Sequence, residues 1–95
     1  MKWLYRRWIR KAEKRIQELM PGKTLDDVSK MYEQFYDEFI PLRDSRESNY
    51  EEMLACMDRY KDVLEIADIF PEEGKESWAS YRSAVQFMID HGDEL

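Results

Sequence analysis

Histidine and cysteine each occur once in these 95 residues, glycine and proline three times each, and no apolar run exceeds a few residues. Each scarcity excludes something. A single cysteine, Cys56, rules out an internal disulfide and points to a reducing compartment, so a cytoplasmic location is expected. The apolar runs fall far below the ~20 residues that a bilayer-spanning helix needs. So few glycines and prolines leave long regular elements with few turns, which reads as helices. The lone histidine, His91, stands at the expected end of the last helix. It leaves Ser77, Ser80 and Ser83 without a base, and the sequence shows no Cys/His metal spacing, Glu-x-x-His pair or Gly-rich phosphate loop. The chain is therefore expected not to be an enzyme and to carry no metal or cofactor.

What is present is charge, arranged by position. Residues 1–23 hold eight Lys/Arg against Glu13 and Glu18, a net of +6. Residues 24–95 hold seven against nineteen acids, a net of −12, and together these make the −6 of the whole chain. At 43% apolar and 38% charged, the chain is too hydrophobic for an acidic disordered segment and too charged for a membrane span. It reads as one domain over 1–95. The basic residues recurring after Met1-Lys2-Trp3 break the apolar stretch a secretory signal requires. The Asp93-Glu94-Leu95 ending has Gly92 where a retention tail needs Lys or His, so it reads as coincidence.

Periodicity divides the chain into four amphipathic helices. Tyr5, Ile9, Ala12, Ile16 and Leu19 alternate four- and three-residue steps over about 2–20, and Pro21-Gly22 ends that helix. Thr24 and Asp27 form a capping box for a helix over about 25–40. Its stripe is Leu25, Val28, Tyr32, Phe35 and Phe39, with Pro41 ending or kinking it. A third helix over about 49–69 starts from Ser48 and Glu51 as a second capping box. Its broad stripe of Tyr50, Met53, Met57, Tyr60, Leu64 and Ala67, with Cys56 beside it, makes it the expected spine, and Ile66 falls on another side. Pro71-Glu72-Glu73 opens a helix over about 72–91 with Trp78, Tyr81, Val85 and Met88 inward, ending at His91-Gly92. Gly74 there serves either close helix approach or a turn before a later start at Ser77. The expected fold is all-α: a four-helix bundle running up-down-up-down. The rival is a three-helix core with a partly detached N-terminal helix.

Two faces are candidate binding surfaces. On the first helix Arg7, Arg10 and Lys14 form a basic stripe opposite the seam, with Trp3 one turn before Arg7. Cations with an interleaved aromatic suit nucleic acid, an acidic protein or anionic lipid. Pairing of these cations with the chain's own acids competes with all three. The acidic face comprises Asp26, Glu33 and Asp37 on the second helix and Glu51, Asp58, Asp62 and Glu65 on the third. It would meet a basic protein surface, against the plainer reading of a solvated face. Tyr36, Phe87 and Ile66 lie at or beyond the edges of their stripes, as candidates for an exposed patch or dimer seam.

In general character the chain resembles the small regulators, immunity proteins and phage-encoded host inhibitors of bacteria. That resemblance is one of type, without residue-level motifs. The expected function is a protein-binding module acting as regulator, adaptor or inhibitor. The alternative is nucleic-acid binding through the first helix. A homo-oligomer pairing opposite charges is a further expectation, and membrane-surface binding ranks below these.

Overall fold

The computed structural model describes residues 2–45, 49–70 and 74–92, with side chains from Tyr5 onward. It is all-helical over these residues, and the packing is bundle-like. The elements are α1 (Lys2–Leu19), α2 (Leu25–Asp44), α3 (Tyr50–Arg59), α4 (Lys61–Ala67) and α5 (Trp78–His91). No helix among them is long and apolar enough to cross a membrane.

Turn chemistry sets the α1–α2 corner. Gly22 adopts φ +89°, a left-handed conformation that a side chain would strain. Gln17 spans the corner, accepting from the Gly22 N–H at 3.1 Å and donating to the Lys23 carbonyl at 2.7 Å. Thr24 then caps α2 as expected: its hydroxyl accepts from the Asp27 N–H at 3.1 Å, and the Asp27 carboxylate accepts from the Thr24 N–H at 2.9 Å. That reciprocal bonding holds the Asp27 carboxyl below its ordinary value. At the other end α2 continues through Pro41 to Asp44 instead of stopping at Ile40. Pro41 stands in the last turn, where one lost backbone bond matters least. Leu42, packed against the core, favours the extension.

The expected third helix is two helices. At Tyr60 the backbone leaves helical geometry (φ −111°, ψ 22°), and its N–H turns to Met57 and Asp58. The core residues keep their helical phase across the break: Leu64 joins Met53 and Met57 in one cluster, as a continuous wheel has it. Ile66 lies on the opposite side, as the sequence predicts, yet it is 1% exposed. Its expected exposure is therefore corrected, because Ala12 and Ile16 of α1 and Val28 of α2 cover that side. Asn49 stands at the N-terminus of α3 without a side-chain capping bond. The expected cap, Ser48, lies outside the described residues.

The last helix starts at Trp78, not near residue 72, and Pro71, Glu72 and Glu73 lie outside the described residues. Gly74 has φ +79°, and a β-carbon there would have nothing within 4 Å, so it serves the turn and no close approach. Two residues satisfy the first donors of α5. Asp68, at the end of α4, accepts from Trp78 N–H (2.8 Å) and Ala79 N–H (3.1 Å). Ser77 accepts from Ser80 N–H through its hydroxyl (3.1 Å) and from Tyr81 N–H through its carbonyl (3.0 Å). A carboxylate there also meets the positive end of the helix dipole. Gly92 ends α5 at φ −58°, without the left-handed turn that its position suggests.

Two cores result. The first joins α2, α3 and α5 with one residue of α4: Phe35, Phe39, Met53, Cys56, Met57, Leu64 and Val85. The second joins α1, α2 and α4 through Ala12, Ile16, Val28, Val63 and Ile66. Tyr32 and Tyr60 pack against both. Burial along α1 fades toward its start: Ile16 and Ala12 are 0% exposed, Trp8 and Ile9 are half-buried, and Tyr5 is 57% exposed. The placement of Tyr5 on a core seam is thus corrected. Its ring only reaches Phe70, at 6.1 Å between centroids, because the body covers just the later turns of α1. The molecule is correspondingly long, 46 × 26 × 21 Å with a radius of gyration of 15.0 Å. A compact chain of this length would have about 12 Å.

Truncating Asp68 to Ala should cost about 1–2 kcal/mol in urea unfolding, since two helix-end donors lose their acceptor. Asp68→Asn should cost less, because one acceptor remains. Asp58, bonded by Arg82, has its pKa lowered from 3.8. Its folded value lies below the unfolded one, so its stabilisation is complete well above pH 3.8 and is lost as pH falls through the lower folded value. Urea midpoints of Asp58→Asn should accordingly fall less than those of the native chain between neutral pH and pH about 3.

Candidate functional site

The basic stripe of α1 is on the surface. Arg7, Arg10 and Lys14 are exposed, and none forms an ion pair among the described residues. Trp3 lies in the first turn of α1, with its side chain outside the described residues. A different cation, Arg15, docks the helix: it binds Glu18 at 2.8 Å and Glu65 across the interface with α4. Those two hydrogen-bonded carboxylates raise the Arg15 pKa further above its ordinary value.

The seven acids do not form one field. The break at Tyr60 parts Glu51 and Asp58 on α3 from Asp62 and Glu65 on α4. Asp58 faces α5, where the Arg82 guanidinium binds it at 2.7 and 3.2 Å. Glu65 faces α1 and holds Arg15. These two are latches between helices, and in water-exposed geometry they set orientation more than they add stability. Glu51 is exposed and Asp62 half-buried, and neither forms an ion pair among the described residues. On α2, Asp26 has a loose partner in Lys30 at 3.3 Å, while Glu33 and Asp37 stay exposed and unpaired among the described residues.

A concave feature runs along this same helix. A groove of about 900 Å³ lies between α2, the end of α4 and the segment entering α5. That is within the usual range of ligand clefts. Val28, Val63, Ile66 and Ala67 line its depth, and Tyr32, Tyr36, Trp78 and Tyr81 give it aromatic walls. Arg43, Lys75 and Glu76 add polar groups, and Glu33 closes the outer side. At 100° per residue, Asp26 and Asp37 share the exposed stripe of Glu33, at seven and four residues' distance. Of the three, Glu33 lines the groove, and Asp26 and Asp37 stand beside it on the outward side of α2.

The aromatic walls are held in place. Trp78 donates its indole N–H to the Tyr32 hydroxyl at 3.0 Å and meets Phe35, Tyr36, Phe39 and Tyr81 edge-on, at centroid distances of 5.0–6.0 Å. Such edge-to-face contacts add about 0.5–1.5 kcal/mol per pair beyond area burial. Periodicity places Trp78 and Tyr81 on a core stripe and gives no sign of the groove. The one signal is Tyr36, set beyond the edge of its stripe. Of the other two off-stripe residues, Phe87 is 56% exposed with its ring on His91 at 4.3 Å, and Ile66 is in the second core.

No group of three or more His, Cys, Asp or Glu among the described residues is placed to hold a metal ion. Cys56 is 0% exposed, and burial pushes its thiol above the ordinary 9.0. The groove offers aromatic faces, carboxylates and a few cations, an equipment for binding. No family model matches the chain, and neither a curated protein nor a solved structure does.

Native Cys56 should react with iodoacetamide at least ~100-fold more slowly than the urea-unfolded chain, since the thiolate form is both scarce and enclosed. Mass spectrometry of timed samples reads the rate.

Proposed function

We propose that this protein is a protein-binding module whose α2 groove takes a basic segment of a partner protein, and that it acts as a regulator, adaptor or inhibitor of that partner. One observation carries the reading: Glu33, which shares an exposed stripe with Asp26 and Asp37, lines an aromatic groove. Carboxylates at a rim steer a cationic partner and speed its approach, while desolvated aromatics supply the holding energy. Tyr, Trp and Arg, the residue types that dominate interface energetics, meet here as Tyr32, Tyr36, Trp78, Tyr81 and Arg43. The reading takes the rods as running alternately up and down, as short connections between neighbours favour. It also takes the compartment as cytoplasmic. A regulator of the bacterial or phage kind is the type that the chain's general character supports.

The binding test has two arms, run on a partner captured from the host and then purified. Replacing Asp26, Glu33 and Asp37 together by Lys should slow association at least ~10-fold and flatten its salt dependence, read by surface plasmon resonance. Tyr36→Ala should instead speed dissociation, weakening affinity by ~10-fold or more. A partner that binds both variants like the native protein would sink the groove reading.

A further inference from the structure

The outward face of α1 is the strongly charged surface that the groove leaves unused. Arg6, Arg7, Arg10, Lys11 and Lys14 are all exposed there. At 100° per residue they occupy an arc of about 140°, centred opposite the Ala12 and Ile16 side that docks the helix. Their backbone positions rise only about 12 Å along the axis. None forms an ion pair among the described residues, although the chain over 24–95 carries a net of −12. The single acid inside the arc, Glu18, lies one turn beyond Lys14 and is held by Arg15. The fading burial of α1 leaves the first turns of this helix less covered by the rest of the chain.

Composition of the face discriminates among anionic partners. From Tyr5 onward its apolar side chains, Trp8, Ile9, Ala12 and Ile16, are on the docking side. By spacing, Trp3 in the first turn stands on the basic face as one aromatic beside five cations. An anionic membrane needs apolar groups inserted beside the cations. A protein interface ordinarily has an apolar centre. A phosphate backbone requires neither, because cations that displace its condensed counterions gain affinity from that release alone. We infer that the outward face of α1 binds the phosphate backbone of nucleic acid without reading its sequence. The acidic body opposes this at long range, and salt screens that repulsion over only ~8 Å at physiological strength. Binding is therefore weak and electrostatic. A chain that holds nucleic acid at α1 and a basic protein segment in the α2 groove would join two macromolecules of opposite charge.

Fluorescence anisotropy of a labelled, mixed-sequence DNA duplex of about 20 base pairs, titrated with the full chain, tests this. Five neutralised phosphates predict a slope of log affinity on log salt near about −4.5, a loss of several hundred-fold between ~50 and ~200 mM. An unlabelled duplex of scrambled sequence should compete equally. Arg7→Gln with Arg10→Gln removes charge from exposed positions without reversing it, and should reduce the slope by about two. Adding Lys14→Gln should weaken binding further, while the Asp26, Glu33 and Asp37 to Lys variant should retain it. The inference is overturned by no anisotropy change at the lowest salt, or by an unchanged slope in the Gln variant. It is also overturned by preference for poly-glutamate or phosphatidylserine vesicles through the same residues. These outcomes leave the groove untouched, since its variants are read on a protein partner.

Discussion

The stretch from Tyr50 to Ala67 is apolar on two opposite sides, and the rest of the fold depends on both being covered. Leu64 joins Phe35, Phe39 and Met57 on one side, while Val63 and Ile66 meet Val28, Ala12 and Ile16 on the other. Glu65 holds Arg15 of α1, and the end of α4 presents Asp68 to the first donors of α5. Without α1 against it, Ile66 would lose much of its cover. One segment with two covered sides thus decides how the first and last helices attach.

Charge then divides by role. Arg15 and Arg82 are engaged by Glu65, Glu18 and Asp58, where they tie α1 and α5 to the middle of the fold. Among the charges left exposed, a group of cations lies along the outward side of α1, and the carboxylates Glu33 and Asp37 lie on α2. Surface pairs of this type add little stability in water. Their larger consequence is directional, since a molecule 46 Å long with oppositely charged regions presents different surfaces to different partners.

Much of this was legible in the residues. The all-helical class, the α1–α2 corner, the Thr24–Asp27 box, the enclosed Cys56 and the exposed Arg7, Arg10 and Lys14 follow from local spacing and short-range hydrogen bonding. The misplacements share a cause. Pro41 reads as a terminator, yet Leu42 packing outweighs one missing bond. Tyr5 fits the seam of its own helix, yet no neighbouring element reaches far enough to cover it. Ile66 lies opposite Met53 and Met57 as the wheel has it, yet α1 and α2 cover that side, and nothing local announces the cover. The groove was invisible because Trp78 and Tyr81 look like ordinary core residues until α2 and α5 are set side by side.

Side-chain period, capping residues and the sign of charge along the chain are enough to establish amphipathic helices with a basic start and an acidic remainder. Those properties act within a few residues, so they can be read without knowing which helix meets which. Assembly of the helices settled the rest: where one of them breaks, which acids serve as latches, and that Glu33 of the acidic stripe lines an aromatic groove. Each of those depends on packing between segments far apart in the chain, where burial of Ile66 or Leu42 outweighs local preference.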